Sequence, residues 1–331
     1  MAPPAEHWSG IPEPAARDSA AERVLVIKLG ALGDIFLAMQ AFAAVRRHHG
    51  GARITLLTRK QFAGLARQMP WFDEVWEDPA PKAWQVGRWL AWRRRLRGGG
   101  FARVYDLQCN DRSGTYFRLL APRRPEWCGV VPGCSHRWAG SRKDPLPVPE
   151  RLRRLLAVAG VQAAGPPELT WLDGDLGGLD LPEKFALLVP GCAPQHPYKR
   201  WPARQFAELA MKLTAHGVTP VAIGTAVDRD AVAELVALAP GVVDLTGKTS
   251  LGQVAALARR AVWVVTNDTG PAHIAGIVGA PTLVVMSRVT DPVRMLPHGP
   301  AVGWLKRDDL ADLGADEVWT ALQSISRPDA G

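Results

Sequence analysis

Trp263-Val264-Val265-Thr266-Asn267-Asp268-Thr269-Gly270-Pro271-Ala272-His273-Ile274-Ala275 reads as a buried strand that ends in a polar turn and runs straight into a helix. Thr269 or Asp268 stands where a helix cap belongs, Gly270 lets the backbone come close to a ligand, and Pro271 suits the first helical turn. The N–H groups left at that end then point at an anion such as a diphosphate, and a first-turn His273 faces the same anion. A well-capped helix with a structural histidine would account for this stretch taken alone. What surrounds it decides the reading.

Outward from this turn the same rhythm repeats. Phe185–Pro190, Pro220–Gly224, Val242–Leu245, Trp263–Thr266 and Thr282–Val285 are short apolar runs separated by helix-length segments. An earlier series has Arg23–Leu29, a helical Gly33–His49, Arg53–Thr58, a helical Ala83–Leu96 and Arg103–Leu107. Between the two lies Gly165–Lys184, with three Pro and four Gly, which is loop composition. The chain is therefore expected to be α/β, with two Rossmann-like parallel-sheet domains facing a cleft at the carboxyl ends of their strands. The expected divisions are a disordered tail at 1–21, an N-terminal domain at 22–165, a linker at 166–184, a C-terminal domain at 185–305, and a closing helix and tail at 306–331. Leu310, Leu313, Val318 and Leu322 give that closing segment helical spacing, and it is expected to pack back across the cleft.

Composition narrows the function classes. The 331 residues and 47% hydrophobic content suit two globular domains. Cys109, Cys128, Cys134 and Cys192 form no C-x-x-C pair, which speaks against a zinc site or a disulfide framework. The first 21 residues lack the apolar region of a signal peptide, and the longest apolar run, Pro271–Met286, is broken by His273 and Pro281, so a cytoplasmic protein is expected. Residues 1–165 carry 26 Lys and Arg against 14 Asp and Glu, a net +12, whereas residues 166–331 carry 14 against 18, a net −4. The basic half implies an acidic partner: nucleic acid, an anionic membrane surface or a phosphorylated acceptor. Within it, Pro81–Arg97 interleaves Trp84, Trp89 and Trp92 with Arg88, Arg93, Arg94, Arg95 and Arg97. Trp89, Trp92 and Leu96 share a helical face, read either as a membrane or acceptor contact or as a core face with a charged back.

Two further turns carry chemistry. Lys28-Leu29-Gly30-Ala31-Leu32-Gly33-Asp34-Ile35 joins the first strand to the first helix, but Gly30 and Gly33 supply only part of a dinucleotide G-x-G-x-x-G, and Asp34 would repel a pyrophosphate there. Asp34 is either a first-turn helix acid or a general base at the cleft. Val189-Pro190-Gly191-Cys192-Ala193-Pro194-Gln195-His196-Pro197-Tyr198-Lys199-Arg200-Trp201-Pro202 is a strand, a long loop and a helix opened by Pro202. Lys199 and Arg200 before that helix end are either a phosphate site or a solvated basic pair.

Taken together with Asp106-Leu107-Gln108, Arg112-Ser113 and Asp244-Leu245-Thr246-Gly247-Lys248-Thr249-Ser250-Leu251, these turns resemble, in order and over roughly residues 23–300, the heptosyltransferases of glycosyltransferase family 9. The resemblance implies a GT-B fold and an enzyme that moves a sugar, a heptose, from an ADP-sugar to a lipopolysaccharide-core-type acceptor, with inversion and without metal or cofactor. Asp34 resembles the catalytic base and Lys199 the lysine that neutralises the donor phosphates. The donor contacts implied are Lys199, Asp228, Thr249, Asp268, Thr269, Gly270, Pro271 and His273, with Asp228 on the ribose. Those implied for the acceptor are Gly33, Arg59, Lys60, Gln108 and Arg112.

The chain departs from the family where Gly224-Thr225-Ala226 and Asp228 replace a common Gly-Gly-Pro with glutamate, and where Arg288-Val289 precedes Thr290-Asp291-Pro292 in place of Gly-Pro. The expected partners are a nucleotide-sugar donor and an anionic glycolipid or phosphorylated saccharide, with peripheral contact to the inner membrane surface and no nucleic acid. Two other readings remain at this point: a GT-B transferase serving a different envelope or capsule glycan with another nucleotide sugar, and a basic nucleic-acid-binding protein.

Overall fold

A computed structural model describes residues 21–141, 144–162 and 165–327. The stretch read as a tail, Ala21 excepted, lies outside the described residues, as do the last four of the chain. In the first half, strands β1 (Arg23–Ile27), β2 (Arg53–Thr58), β3 (Glu74–Glu77), β4 (Arg103–Asp106), β5 (Glu126–Gly129) and β6 (His136–Arg137) alternate with helices. Those helices are α1 (Leu32–Phe36), α2 (Met39–His48), α3 (Lys60–Ala66), α4 (Val86–Gly98), α5 (Asp111–Leu119) and α6 (Val148–Ala157). The second half has β7 (Phe185–Val189), β8 (Thr219–Ala222), β9 (Val243–Asp244), β10 (Trp263–Asn267), β11 (Thr282–Ser287) and β12 (Val302–Arg307). Its helices are α7 (Ala203–Ala215), α8 (Arg229–Leu238), α9 (Leu251–Arg260), α10 (Gly270–Ile277), α11 (Pro292–Met295) and α12 (Ala315–Gln323).

The strands form two six-stranded sheets ordered β3-β2-β1-β4-β5-β6 and β12-β11-β10-β7-β8-β9, with parallel pairing throughout. Read from its other edge, the second order repeats the first. Parallel neighbours need a crossover, and the helices that supply it cover both faces, so the central strands are largely buried. All residues of β7 and β11 are buried. The best-defined helix starts have side-chain caps: Asn110 accepts from Ser113 N at 3.0 Å for α5, and Ser250 from Gln253 N at 3.2 Å for α9.

Several expectations need correction. The helix expected over Gly33–His49 is two, because after Leu37 N bonds to Gly33 O the next amide, Ala38 N, tightens onto Ile35 O and the chain restarts as α2. Strands β3, β5, β6 and β12 carry weak patterns: β3 is Glu-Val-Trp-Glu, and β12 is an edge strand that continues through Lys306 and Arg307, past the expected limit at 305. The closing helix does not cross the cleft. Val318 and Leu322 of α12 are fully buried against Phe206, Leu209 and Leu213 of α7, and Lys212 pairs with Asp316 at 2.5 Å, so α12 belongs to the second sheet's own core.

The linker is packed, not loose. Trp171 meets Trp71 edge-on at 5.7 Å, Arg259 Nε donates to Asp173 Oδ1 at 2.9 Å, and Gln253 Nε2 donates to Asp175 O at 2.9 Å. The two aspartates of the Asp-Gly-Asp run are thereby part of the contact between linker and α9.

Candidate functional site

In each sheet the strand order reverses once, between β1 and β4 and between β7 and β10, and the crevice at such a point is where open α/β sheets bind ligands. The loops and first helical turns after these four strands hold Asp34, Gln108 and Arg112 on one side and Lys199, Asp268 and Gly270 on the other.

On the first side, β1 is followed directly by a buried Lys28, whose Nζ donates to Leu107 O at 3.3 Å and lies 3.9 Å from Asp34 Oδ1. Asp34 Oδ2 accepts from Ala31 N at 3.1 Å, which steadies the carboxylate at the mouth of the first helix. Gln108 is buried and accepts from Leu29 N at 2.8 Å, tying the β4 loop to the β1 loop. Cys109 takes a positive φ of 50°, and this tight turn lets Asp106 Oδ1 accept from both Gln108 N, at 3.1 Å, and Cys109 N, at 2.8 Å. Burial pushes the Asp106 carboxyl up to about 6, against the opposing pull of those hydrogen bonds and of Lys28. A small pocket beside Asp34 is walled by Lys28, Gln108, Cys109, Trp138 and Arg151.

On the second side, Asn267 at the end of β10 is fully buried and organises the long loop after β7. Its Oδ1 accepts from Trp201 N at 2.9 Å, and its Nδ2 donates to Pro190 O at 2.8 Å and Gly191 O at 3.1 Å. That places Lys199, whose Nζ pairs with Asp268 Oδ2 at 2.6 Å; the same oxygen accepts from Thr290 Oγ1 at 2.6 Å. Asp268 Oδ2 is thus engaged with both the lysine and the Thr290 hydroxyl. Thr269 is the N-cap residue of α10, but its side chain does not cap the helix; its hydroxyl turns to Asn267 O at 3.3 Å. The expectation that Thr269 or Asp268 caps α10 by its side chain is thus corrected. The N-terminal positive end of α10 is left without a side-chain acceptor, as an anion site needs.

The two sides touch. A Cβ placed on Gly33 would lie 2.5 Å from His273 Nε2, and one placed on Gly270 would lie 2.7 Å from Leu32 Cδ2, so α1 and α10 approach over glycines that face each other's helix. His273 is 5% exposed with no hydrogen-bond partner at Nδ1. Burial holds its imidazole below the usual 6.5; Asp268 and Asp34 pull it up and Lys199 pulls it down. One ring thus feels the candidate base and the candidate donor turn at once.

The other predicted residues lie around this centre. Arg59 and Lys60 are exposed at the start of α3, on the strand-end edge that carries Asp34. Arg112 is engaged within its own sheet's loops: its Nε donates to Asp78 Oδ2 at 2.7 Å and to Tyr116 Oη at 2.8 Å, and Nη2 reaches Asp78 Oδ1 at 3.2 Å. The Asp78 side chain is 1% exposed and needs that countercharge. Asp228, after β8, is also buried; its Oδ2 accepts from Thr225 N and Oγ1, both at 2.8 Å, and the carboxylate lies over the bare Cα of Gly191. Thr249 is half-buried in the loop after the edge strand β9. Lys28, Asp78, Asp106, Asn267 and Thr290 were not singled out as site residues in the sequence. Their shared signal is position, at or just past the end of a buried strand, and it becomes legible only once the strands are known.

The Trp and Arg segment divides differently from its sequence reading. Trp92 and Leu96 of α4 are buried in the first core, with Trp89 partly buried against it. Arg93 Nε donates to Leu119 O at 3.0 Å, and Arg95 lies over the Trp76 ring at 4.6 Å. The face of Trp89, Trp92 and Leu96 is a core face. A larger cavity of about 300 Å³ between α2, α6 and His298 contains none of the predicted site residues. Among the described residues, no group of three or more His, Cys, Asp or Glu side chains gathers as metal ligands, and no helix is long and apolar enough to cross a membrane.

Residues 166–311 match glycosyltransferase family 9 (heptosyltransferase). The chain is 27% identical over 287 residues to lipopolysaccharide heptosyltransferase 2 of Salmonella typhimurium, covering 80% of this chain and 82% of that one. Its fold is that of a family 9 glycosyltransferase from Veillonella parvula, at a TM-score of 0.76 and 21% identity over 91% of this chain and 96% of the other. It is likewise that of Escherichia coli heptosyltransferase WaaC, solved with ADP, at a TM-score of 0.70 and 20% identity over 91% and 99%.

Proposed function

Because the chain belongs to glycosyltransferase family 9, the heptosyltransferase family, we propose that it moves a heptose from an ADP-sugar to an anionic, lipopolysaccharide-core-type acceptor by a single inverting displacement without a metal. The observation that carries this is the contact of α1 with α10: the helix that bears Asp34 lies against the helix whose uncapped start adjoins the Lys199–Asp268 pair, and His273 feels Asp34, Asp268 and Lys199 together. ADP as the donor nucleotide is supported by the ADP bound to the relative of the same fold.

In this reading the acceptor hydroxyl sits against Asp34, which takes its proton as the oxygen attacks the anomeric carbon. The bond from that carbon to the diphosphate breaks on the opposite face, so the configuration inverts. The departing charge meets Lys199 and the N–H groups at the start of α10, which are already in place. Asp268, itself bonded by the Thr290 hydroxyl, holds the Lys199 ammonium at the site. From there the nucleoside runs along the strand ends toward β8 and β9, where Asp228 and Thr249 lie. A ribose contact by Asp228 goes through Oδ1, since Oδ2 is taken by Thr225. On the acceptor side, Lys28, Arg59 and Lys60 supply positive charge near Asp34 for a phosphate or carboxylate.

The test is a screen of ADP-, UDP- and GDP-sugars for binding and transfer, run with and without a chelator. ADP-heptose turnover unaffected by chelator is the expected result. Turnover confined to another nucleotide sugar would move the chain to a different glycan, and no preference among the donors would overturn the reading.

A further inference from the structure

We propose that the outer face of α4, together with the turn before it, is a docking surface for a bilayer containing anionic phospholipid. Trp84 is 73% exposed, more than any other large apolar side chain among the described residues, and its neighbours Val86 and Leu90 are 64% and 49% exposed. Val86, Leu90, Arg94 and Arg97 are spaced four, four and three residues apart, so they form one stripe of a helix with 3.6 residues per turn. This stripe is distinct from the Trp92 and Leu96 face that enters the core. Its charge has one sign: residues 79–105 contain seven Lys and Arg and no Asp or Glu. The exposed Arg123 and Arg124 extend the patch, because Arg93 of α4 binds the chain before them at Leu119 O and, at 3.3 Å, Ala121 O.

An apolar tip followed by cations is the pattern of a segment that enters the headgroup region shallowly while its charges meet lipid phosphates. Three apolar side chains are too few for the core of a stable protein interface, which needs roughly 800 Å² on each partner. A nucleic acid would leave Leu90 and Val86 unburied. Position in the fold points the same way. A crossover helix runs back against its strands, so the start of α4 lies at the carboxyl edge of the first sheet, the edge that holds Asp34 and Asp78. The bilayer would then lie beside the acceptor side of the cleft. Only that consequence rests on the transferase reading; the docking itself does not.

The full chain, without substrates, is sedimented with vesicles of phosphatidylcholine alone or with a third phosphatidylglycerol. Preferential binding to the anionic vesicles, weakened by salt, is expected. Arg94→Ala with Arg97→Ala should lower that binding roughly thirtyfold, at about 1 kcal/mol for each cation at the surface. Trp84→Ser with Leu90→Ser should lower it comparably while keeping the far-UV circular dichroism and the transfer to a water-soluble acceptor. Quenching of tryptophan fluorescence by brominated lipid should fall in Trp84→Phe. Equal partition onto both vesicle types, unchanged quenching in Trp84→Phe, or variants that lose DNA retention or self-association but keep vesicle binding would each overturn the proposal.

Discussion

Replacing Gly33 by alanine puts a methyl group into the narrowest contact between the two halves of the cleft. The new Cβ would lie 2.5 Å from His273 Nε2 and 3.2 Å from Cε1. Comfortable separation is about 3.5–4.0 Å, so the overlap is about 1 Å. His273 cannot swing clear, because it is 5% exposed and sits in a helix packed on α1. The least costly relief is for α1 and α10 to move apart, which separates Asp34 from the Lys199 side by a similar amount. A displacement of about 1 Å at reacting groups costs on the order of 100-fold in rate, equivalent to about 2.7 kcal/mol. Steady-state kcat/KM with the preferred donor measures this, and Gly33→Ala should fall by that factor with a modest loss in Tm from overpacking. The control is a double-mutant cycle with His273→Ala. With the ring gone the methyl has room, and the same substitution should cost no more than roughly threefold. Equal losses in both backgrounds, or normal activity in Gly33→Ala, would refute the reasoning.

Asp34→Asn should lower kcat by roughly 100- to 10,000-fold while calorimetric donor affinity stays nearly constant, since the amide side chain would keep the bond from Ala31 N but could not accept a proton; near-full turnover would remove the base assignment. Asp106 has its carboxyl raised from 3.8 to about 6, so between those pH values the folded chain holds a proton that the unfolded chain has lost, and stability falls as pH rises through that window. Asp106→Asn keeps an acceptor for both amides, so its stability advantage over the parent in urea unfolding should grow from pH 4 to pH 7 and then level off, at roughly 3 kcal/mol or less; a gap independent of pH would count against it. His273 acts with the opposite sign. Its imidazole is lowered from 6.5, so its contribution is complete above that pH and is lost as pH falls below it, and His273→Gln should flatten that part of the Tm profile. Asn267→Ala strands the amide of Trp201 and the carbonyls of Pro190 and Gly191, and should cost about 3 kcal/mol or more in urea unfolding; a loss under about 1 kcal/mol would mean that other contacts hold the loop.

How much of this was legible beforehand follows from how local each signal is. A run such as Phe185–Val189 is buried on both faces and announces itself by continuous apolar character. A strand like Glu74–Glu77 is visible only through its pairing with β2, because its own composition is half acidic. The turn at Asp268–Gly270 was readable as a helix start, but the sequence placed a side-chain cap there that the structure lacks. The pairing of Arg112 with Asp78, distant in sequence, was not readable from either segment. The Trp and Arg segment was correctly read as amphipathic, yet its aromatic stripe faces the core and a different stripe faces outward.

By itself the sequence determined that the chain alternates strand and helix in two series, that the loops after particular strands carry a carboxylate, a lysine and a glycine-proline turn, and that charge is concentrated in the first half. Those properties are short-range: periodicity, turn chemistry and composition within a few residues of each other. Only the tertiary structure decided that both sheets repeat one strand order, that their reversal points confront each other, and that Gly33 and His273 meet. Such contacts join residues more than two hundred positions apart, and nothing local in either segment encodes the partner that burial will press against it.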